Sequence, residues 1–419
     1  MAATINTLTA ILKEFYLGPI GEQLNQETLV YSLFSKSAIE WSGRRVVIPV
    51  HTARNTGVGA IAEGGTLPTA GDQDYERLEV DAKFVYGRFR VSGPAISSSK
   101  SGNSFLSYVD AEMNKLVEDV KTFANQRAIF GGEVIGYVWQ KHNNATFEYS
   151  GRTVGLQVGN AADTAQLVRM DTYATVGAAT QVNAVAEKSI TFNAAINTAA
   201  VPGGVVLAVV CDAAASSLVG GTAGDWEDEP NGITSNLSSE SHFGVDRTSA
   251  AGDAALQSNH LTIANGTTAG VLDAYTALNL DRMQAALDAI LEDSDSEPDC
   301  IIMHPAMRVE YTSLLVGTAA ANLFVDADKA SKGDGGFSGL AYGGVPMKTS
   351  KDMFKGTLMF LTSKTWKMCE LEKPGFADLD GAILSRVANQ DNWEGFYRLY
   401  YNVACTKPNA NCVLTGVDF

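Results

Sequence analysis

Apolar residues recur at helical spacing in several stretches of the chain. Leu8, Ile11, Leu12, Phe15 and Tyr16 predict a short helix that Gly18-Pro19 stops. A less regular pattern runs from 20 to 34. The clearest helix covers 104–130: Ser104 stands where a cap belongs, and Phe105, Val109, Met113, Leu116, Val117, Val120 and Ala124 share one face. Gly131-Gly132 then ends it. At 1.5 Å per residue, about 26 residues make a rod of roughly 40 Å, long enough to cross a domain. Leu280, Met283, Leu287 and Ile290 predict another helix over 280–291, and Pro305 can open one more directly after the apolar run 300–303.

Strand patterns alternate with these. The β-branched run Arg45-Val46-Val47-Ile48-Pro49-Val50 is one, and 78–91 is a second, with Val80, Ala82, Phe84, Tyr86 and Arg88 on one side. Residues 51–77 between them follow neither period and are rich in Gly, Thr and Asp. A connection that long is uncommon inside a compact domain, and this one has too few large apolar residues to fold on itself. It reads as a β-arm that gains order by lying on something else, a neighbouring subunit being the cheapest partner. Near residue 134 the composition shifts. From 134 to 223 the chain is rich in Ala, Thr, Val and Gly and poor in charge, with β-like pieces at 166–170, 189–192 and 205–210, which predicts a small inserted β-domain. After Pro230 the chain is loop-like to about 262. Further strands are expected at 300–303, 344–348, 357–361, 366–371, 382–387 and 396–404.

Composition narrows the function classes. The chain has 419 residues, long enough for two or three domains, and its 45% apolar content supports a buried core. With 31 Lys+Arg against 47 Asp+Glu, the net charge is −16, which excludes a protein that grips nucleic acid through clustered cations. Cys211, Cys300, Cys369, Cys405 and Cys412 form no CxxC pair, so neither a zinc site nor a disulfide framework is expected, and a reducing cytosol fits them. The first residues lack the positive start of a signal peptide and carry Glu14, and the longest apolar run is too short to span a bilayer. Cytosolic synthesis without a membrane partner is the expectation.

The search for chemistry finds little. Asp225, Glu227, Asp228 and Glu229 read as a solvated loop. Asp293, Asp295 and Glu297 begin like a calcium loop, but Pro298 stands where Gly is needed and His304 where the closing Glu belongs. Residues 97–100 spell SxxK without its companion motifs, and the glycines at 333–336 lack a phosphate-binding lysine. The five histidines are scattered. Asp246-Arg247 reads as a local ion pair or an interface contact. With no nucleophile, base and oxyanion set, neither an enzyme, a cofactor nor a metal is expected.

One resemblance emerges from motifs in order along the chain. Gly43-Arg44-Arg45-Val46-Val47-Ile48-Pro49-Val50-His51 is followed by Arg54-Asn55, Gly57-Val58-Gly59-Ala60, Glu63-Gly64-Gly65, Leu67-Pro68 and Ala70-Gly71. Tyr86-Gly87-Arg88 and Ser92-Gly93-Pro94 precede the long helix. Gly244-Val245-Asp246-Arg247, Ile301-Ile302-Met303-His304-Pro305-Ala306 and Asn409-Ala410-Asn411-Cys412-Val413-Leu414 come later. Together these resemble tailed-bacteriophage major capsid proteins of the HK97 fold, over roughly 10–132 and 225–419. The resemblance implies an α+β, HK97-like capsid fold with an N-arm (1–40), an extended β-hairpin E-loop (41–100) and a peripheral domain with a long spine helix (101–133). An inserted β-rich domain (134–223), the continued peripheral domain (224–298), an axial domain (299–375) and peripheral C-terminal strands (376–419) would follow.

The same resemblance implies a virion protein, made in the host cytoplasm, that assembles as hexamers and pentamers of an icosahedral shell. Its implied partners are other copies of itself, a portal, a separate scaffold or cement protein, and packaged double-stranded DNA held by weak non-specific contact. An encapsulin-like compartment shell and a soluble enzyme with a nonlocal active site are the alternatives. In this family the arm lies across an adjacent subunit, so Arg44, Arg45, Arg54, Glu63, Arg88, Arg90, Asp246 and Arg247 are the candidates for inter-subunit contact. In the founding member an E-loop lysine forms a covalent crosslink to an asparagine of another subunit. Residues 52–74 here contain no lysine. Assembled particles are therefore expected to run as single-subunit bands on a denaturing gel, and a covalent ladder would contradict this.

Overall fold

The computed structural model describes residues 29–36, 41, 43, 45–94, 108–131, 134–151, 164–169, 175–186, 189–199, 201, 205–211, 230–238, 242–247, 256–263, 275–317, 340–377, 384–387 and 390–418. The N-terminal helix, Arg44, residues 97–100, Ser104, the acidic run at 225–229 and the glycines at 333–336 lie outside these. The described residues divide between two units. Those within 86–122 and 375–398 belong to one, and those within 28–85, 123–374 and 399–419 to the other.

In the larger unit, β11 (Asn259–Thr262), β12 (Cys300–Met303), β13 (Ala341–Tyr342), β14 (Val345–Thr349), β15 (Thr357–Leu361) and β19 (Cys412–Thr415) form one sheet in the order β11-β19-β15-β12-β14-β13. The β12–β14 and β11–β19 pairs are parallel, and β15 runs antiparallel to both β12 and β19. Strands β12 and β15 are buried at every residue, which is why they read as unbroken apolar runs and not as alternating ones. Helix α3 (Leu280–Ser294) packs Met283, Ala286 and Ile290 with Ile301, Met303, Leu358 and Phe360. Asn279 caps α3 by accepting the Asp281 N–H at 2.7 Å. Helix α4 (Pro305–Gly317) opens at Pro305 as expected and adds Met307 and Tyr311 to this core. The sheet crosses the expected boundaries at 299 and 375, because β11 and β19 come from segments assigned to the peripheral domain.

The predicted β insertion is a closed barrel. Strands β5 (Val134–Lys141), β6 (Thr146–Gly151), β7 (Thr164–Arg169), β8 (Thr175–Val185), β9 (Ser189–Phe192) and β10 (Leu207–Cys211) are ordered β10-β5-β6-β9-β8-β7, and β10 returns to pair with β7. Closure leaves no edge strand to recruit another chain. Phe147, Phe192, Leu167, Ile190 and Leu207 fill the inside. Outside, Tyr137 and Phe130 each meet the Phe354 ring edge-on, at 5.1 and 4.9 Å, and Lys355 Nζ lies 4.6 Å over the Trp139 ring. The barrel is thus fastened to its unit by aromatic packing.

The long helix, α1 (Tyr108–Phe130), ends where the two glycines predict. Gly131 takes φ +57, a left-handed conformation that closes the helix through its N–H to Arg127 O at 3.0 Å. The space there is also closed: a Cβ on Gly232 would fall 2.6 Å from Gly131 N, and one on Gly131 would strike Gly232 in return. Thr234, on the short helix α2 (Ile233–Leu237), gives its hydroxyl proton to the terminal carbonyls Ile129 O and Phe130 O. Two backbones meet here because neither carries a side chain.

The expected single strand over 78–91 is two strands. β3 (Asp74–Asp81) and β4 (Lys83–Ser92) are separated at Ala82. Buried positions are even in β3 (Leu78, Val80) and odd in β4 (Val85, Gly87, Phe89, Val91), so the pattern changes phase at the break. β3 pairs with β2 (Arg45–Ala53), whereas β4 pairs with β18 (Asn392–Cys405). β18 also pairs with β16 (Trp366–Phe376) and β17 (Ser385–Arg386), and β1 (Ser35–Lys36) adds to β16. In the smaller unit α1 lies directly on β4: a Cβ on Gly87 would be 2.7 Å from Val120 Cγ2 and 2.9 Å from Leu116 Cδ1. Phe376 stands between Phe89 and Tyr397, with ring centroids at 6.3 and 5.2 Å.

Gly131→Ala places a side chain in a left-handed conformation and against backbone at once. It is expected to lower stability by on the order of 2–4 kcal/mol, read as a reduced urea midpoint of the purified protein. A midpoint equal to wild type would show that the α1–α2 junction relaxes freely.

Candidate assembly surfaces

The arm is built from its base upward. β2 and β3 pair antiparallel from Arg45↔Asp81 to Ala53↔Asp74, with a slip in register after His51. At the base one face is covered: Val46, Ile48, Leu78 and Val80 pack with Val245, Leu256, Cys369 and Ala404. The cover thins at Val50, which is half-buried against the same cluster, and past it the strands are exposed or half-buried. Arg45 donates from Nε to Asp81 Oδ1 at 2.8 Å and from Nη1 to Glu79 Oε2 at 2.5 Å. Its charge is answered inside its own arm, by the strand that pairs with it.

The tip, residues 54–73, has no regular secondary structure but closes on itself. Asn55 Nδ2 donates to Gly71 O, and Asn55 Oδ1 accepts from Gly57 N, both at 2.6 Å. Gly57 and Gly71 approach so closely that a Cβ on Gly57 would fall 2.8 Å from Gly71 N. A turn at 62–65 uses Gly64 at φ +79 and places Glu63 in solvent. Arg54 is exposed too. Val58 is 86% and Leu67 77% exposed, with Ile61 and Tyr75 also bare. Bare apolar residues gathered on one projecting segment mark a contact surface.

A second surface lies on the smaller unit. The face of β4 opposite α1 presents Tyr86, Arg88 and Arg90. Arg88 and Arg90 both reach Glu394 Oε2 on β18, the latter at 3.2 Å. The Arg88 guanidinium, joined by Arg90, holds the Glu394 carboxyl below the usual carboxylate range. Beside this triad the Tyr86 and Phe396 rings are 6.3 Å apart. Glu394 lies about three hundred residues from its partners, and no local pattern announces it.

The turn 242–247 braces the base of the arm. His242 and Val245 form a β-bridge around Phe243 at φ 47 and Gly244 at φ 91. Phe243 O accepts the Glu79 N–H at 3.0 Å, holding β3 in place. Arg247 is buried. It donates from Nη1 to Asn236 O at 2.9 Å and Leu256 O at 3.1 Å, and from Nη2 to Ser238 Oγ at 3.3 Å. A guanidinium so occupied is a structural tie within the chain, while its neighbour Asp246 is exposed. His242 is buried as well and donates from Nε2 to Cys405 O at 2.9 Å.

Among the described residues no group of three or more His, Cys, Asp or Glu is placed to hold a metal ion, and no helix is long and apolar enough to cross a membrane. No family model matches the chain, and no curated protein matches it in sequence. Solved structures do match. A chain of the cyanophage A-1(L) capsid asymmetric unit is similar over 99% of both chains, with a TM-score of 0.61 and 12% identity. The capsid of the native GTA particle is similar over 100% of both chains, with a TM-score of 0.54 and 9% identity. The empty GTA particle gives the same score and identity over 99% of this chain and 100% of that one. The chain thus has a capsid-type fold of mixed helix and sheet, in keeping with the α+β expectation.

Burial above all, and then the nearby Arg247 charge, push the His242 pKa down from 6.5 to about 3. Between those values the unfolded chain binds a proton that the folded chain refuses, so this group takes away stability as the pH falls from about 6.5 toward 3. His242→Gln keeps an N–H for Cys405 O and removes the titration. Its urea midpoint is expected to fall less than that of wild type between about pH 7 and pH 4.5; parallel curves would contradict this.

Proposed function

We propose that the chain is the major capsid protein of a tailed bacteriophage, assembling as hexamers and pentamers into an icosahedral head around double-stranded DNA. The observation that carries the proposal is the likeness in fold to capsid chains over 99–100% of both lengths. The arm supports it physically, since a ribbon whose distal part buries nothing in its own subunit is suited to a neighbour. In this reading β2, β3 and the tip form the E-loop, α1 is the spine helix, and the barrel is an insertion in the peripheral domain. Residues 29–36 belong to the N-arm, and the sheet around β12, β14 and β15 belongs to the axial domain.

The chemistry of the chain suits a wall better than a catalyst. Burial pushes the Cys300, Cys369 and Cys405 thiols up to about 11 and Cys412 to about 12, so these sulfurs are not poised as nucleophiles. The net charge of −16 lets a shell enclose a polyanion without binding it tightly. Beyond copies of itself, the proposed partners are a portal, a separate scaffold or cement protein, and packaged DNA in weak contact. The proposed location is the virion, after assembly in the host cytoplasm.

Negative-stain electron microscopy of the purified protein tests this reading. Closed shells or ring-shaped capsomers are the expected outcome, and a protein that stays monomeric at all concentrations would overturn it. Particles isolated with their contents are expected to hold DNA. Protein cargo instead would assign the shell to the encapsulin-like class.

A further inference from the structure

We infer that one internal water molecule bridges Thr357 and Thr415 on a buried face of the β11-β19-β15 sheet, with the His260 ring as its third partner. The inference concerns the folded chain alone and does not depend on the shell reading.

The two faces of this sheet differ in chemistry. Leu358, Phe360, Cys412 and Leu414 belong to the apolar core that α3 covers. The alternate residues Thr357, Met359, Val413 and Thr415 take the other face and are buried as well. Across the ladder Thr357 stands opposite Thr415, Met359 opposite Val413, and Val413 beside His260 of β11. These five residues form one wall of a cavity that Thr234 and Leu237 of α2 and the Phe354 ring close. Its volume is about 10 Å³, room for one water.

Three groups on the wall define the occupant. Thr357 is 1% exposed, and its Oγ1 has no hydrogen-bond partner among the described residues. A hydroxyl buried in that way costs free energy unless something bonds it. Thr415 gives its proton to Leu261 O over a long 3.4 Å and keeps its capacity to accept. His260 meets Leu237 O through Nε2 at 2.5 Å. A carbonyl only accepts, so Nε2 carries the proton and Nδ1 of the neutral ring is an acceptor. That Nδ1 is shut from solvent.

One donor and two acceptors around so small a space match a single water. It accepts from Thr357 and donates its two hydrogens to Thr415 and His260. An apolar occupant would leave the Thr357 hydroxyl unbonded, and among the described residues no charged side chain lines the space to balance an ion. The water also accounts for the facing threonines themselves, at a place where valine has the same shape and no polar group to satisfy.

The test is a crystallographic or cryo-electron map of the purified protein that resolves ordered water. One peak within hydrogen-bond distance of Thr357 Oγ1, Thr415 Oγ1 and His260 Nδ1 is expected. No such peak, or a Thr357 hydroxyl turned onto a backbone carbonyl, overturns the inference. Thr357→Ser and Thr357→Val provide the second measurement. The peak is expected to remain with serine, which keeps the hydroxyl, and to disappear with valine. A peak that survives valine unchanged, or that serine also abolishes, shows that the Thr357 hydroxyl does not hold the water, and the inference fails. Should the valine variant not fold, the wild-type and serine maps decide alone.

Discussion

A ribbon of two β-strands has two faces, and this chain covers only the base of one. Val46, Ile48, Leu78 and Val80 have an apolar bed that Val50 still touches; beyond Val50 the strands run on without one. Two strands alone are marginal in water, so the distal arm has only its own devices. The Asn55 clasp across Gly57 and Gly71 is one, and the contact of His51 with Gln73 Oε1 at 2.6 Å is another. Both order the backbone, yet neither hides Val58 or Leu67. The shape of the arm is therefore set by its own bonds, while much of its apolar area stays in water.

What the arm leaves open, the larger unit closes with asparagine. Asn411 accepts the Thr362 N–H at 3.0 Å and the Trp366 Nε1–H at 3.1 Å, and its own amide turns to Lys407 O and Pro408 O. Asn236 takes the Cys405 N–H and gives to Gly232 O and Val403 O. Asn402 holds the Asn231 N–H and reaches Asp81 O at the end of β3. Asn125 serves Val30 and Tyr31 and donates to Asp352. Each side chain sits where strands or turns far apart in sequence meet and ladder bonding fails. Buried backbone groups there need a partner, and one amide offers a donor and an acceptor together.

Much of this was readable from the residues, and the exceptions have a physical pattern. Fully buried strands such as 300–303 and 357–361, the helix stop at Gly131 and the opening Pro305 depend on local apolar runs and backbone chemistry, and they stood out. The barrel showed as β composition, but β5, β6 and β8 did not appear as separate strands, since Gly, Thr and Ala blur their alternation. The break at Ala82 was present as a change of phase that one strand cannot contain. Of the candidate contact residues, Arg54, Glu63, Arg88, Arg90 and Asp246 stand exposed, whereas Arg45 and Arg247 are engaged within the subunit. Whether an arginine meets a carbonyl cage or solvent depends on Asn236, Ser238 and Leu256 folding around it. The partner of Arg88 and Arg90, Glu394, is likewise supplied by the fold and not by the local chain.

Ala82 has one more consequence. It alone separates β3, whose hydrogen bonds carry the arm, from β4, whose outer face carries Arg88 and Arg90. A pull on the arm reaches β4 through a single residue, with no loop to absorb it. A load taken by the arm is thereby passed into β4 and the strand β18 that pairs with it. The two strands answer load as short links do, with little slack between them.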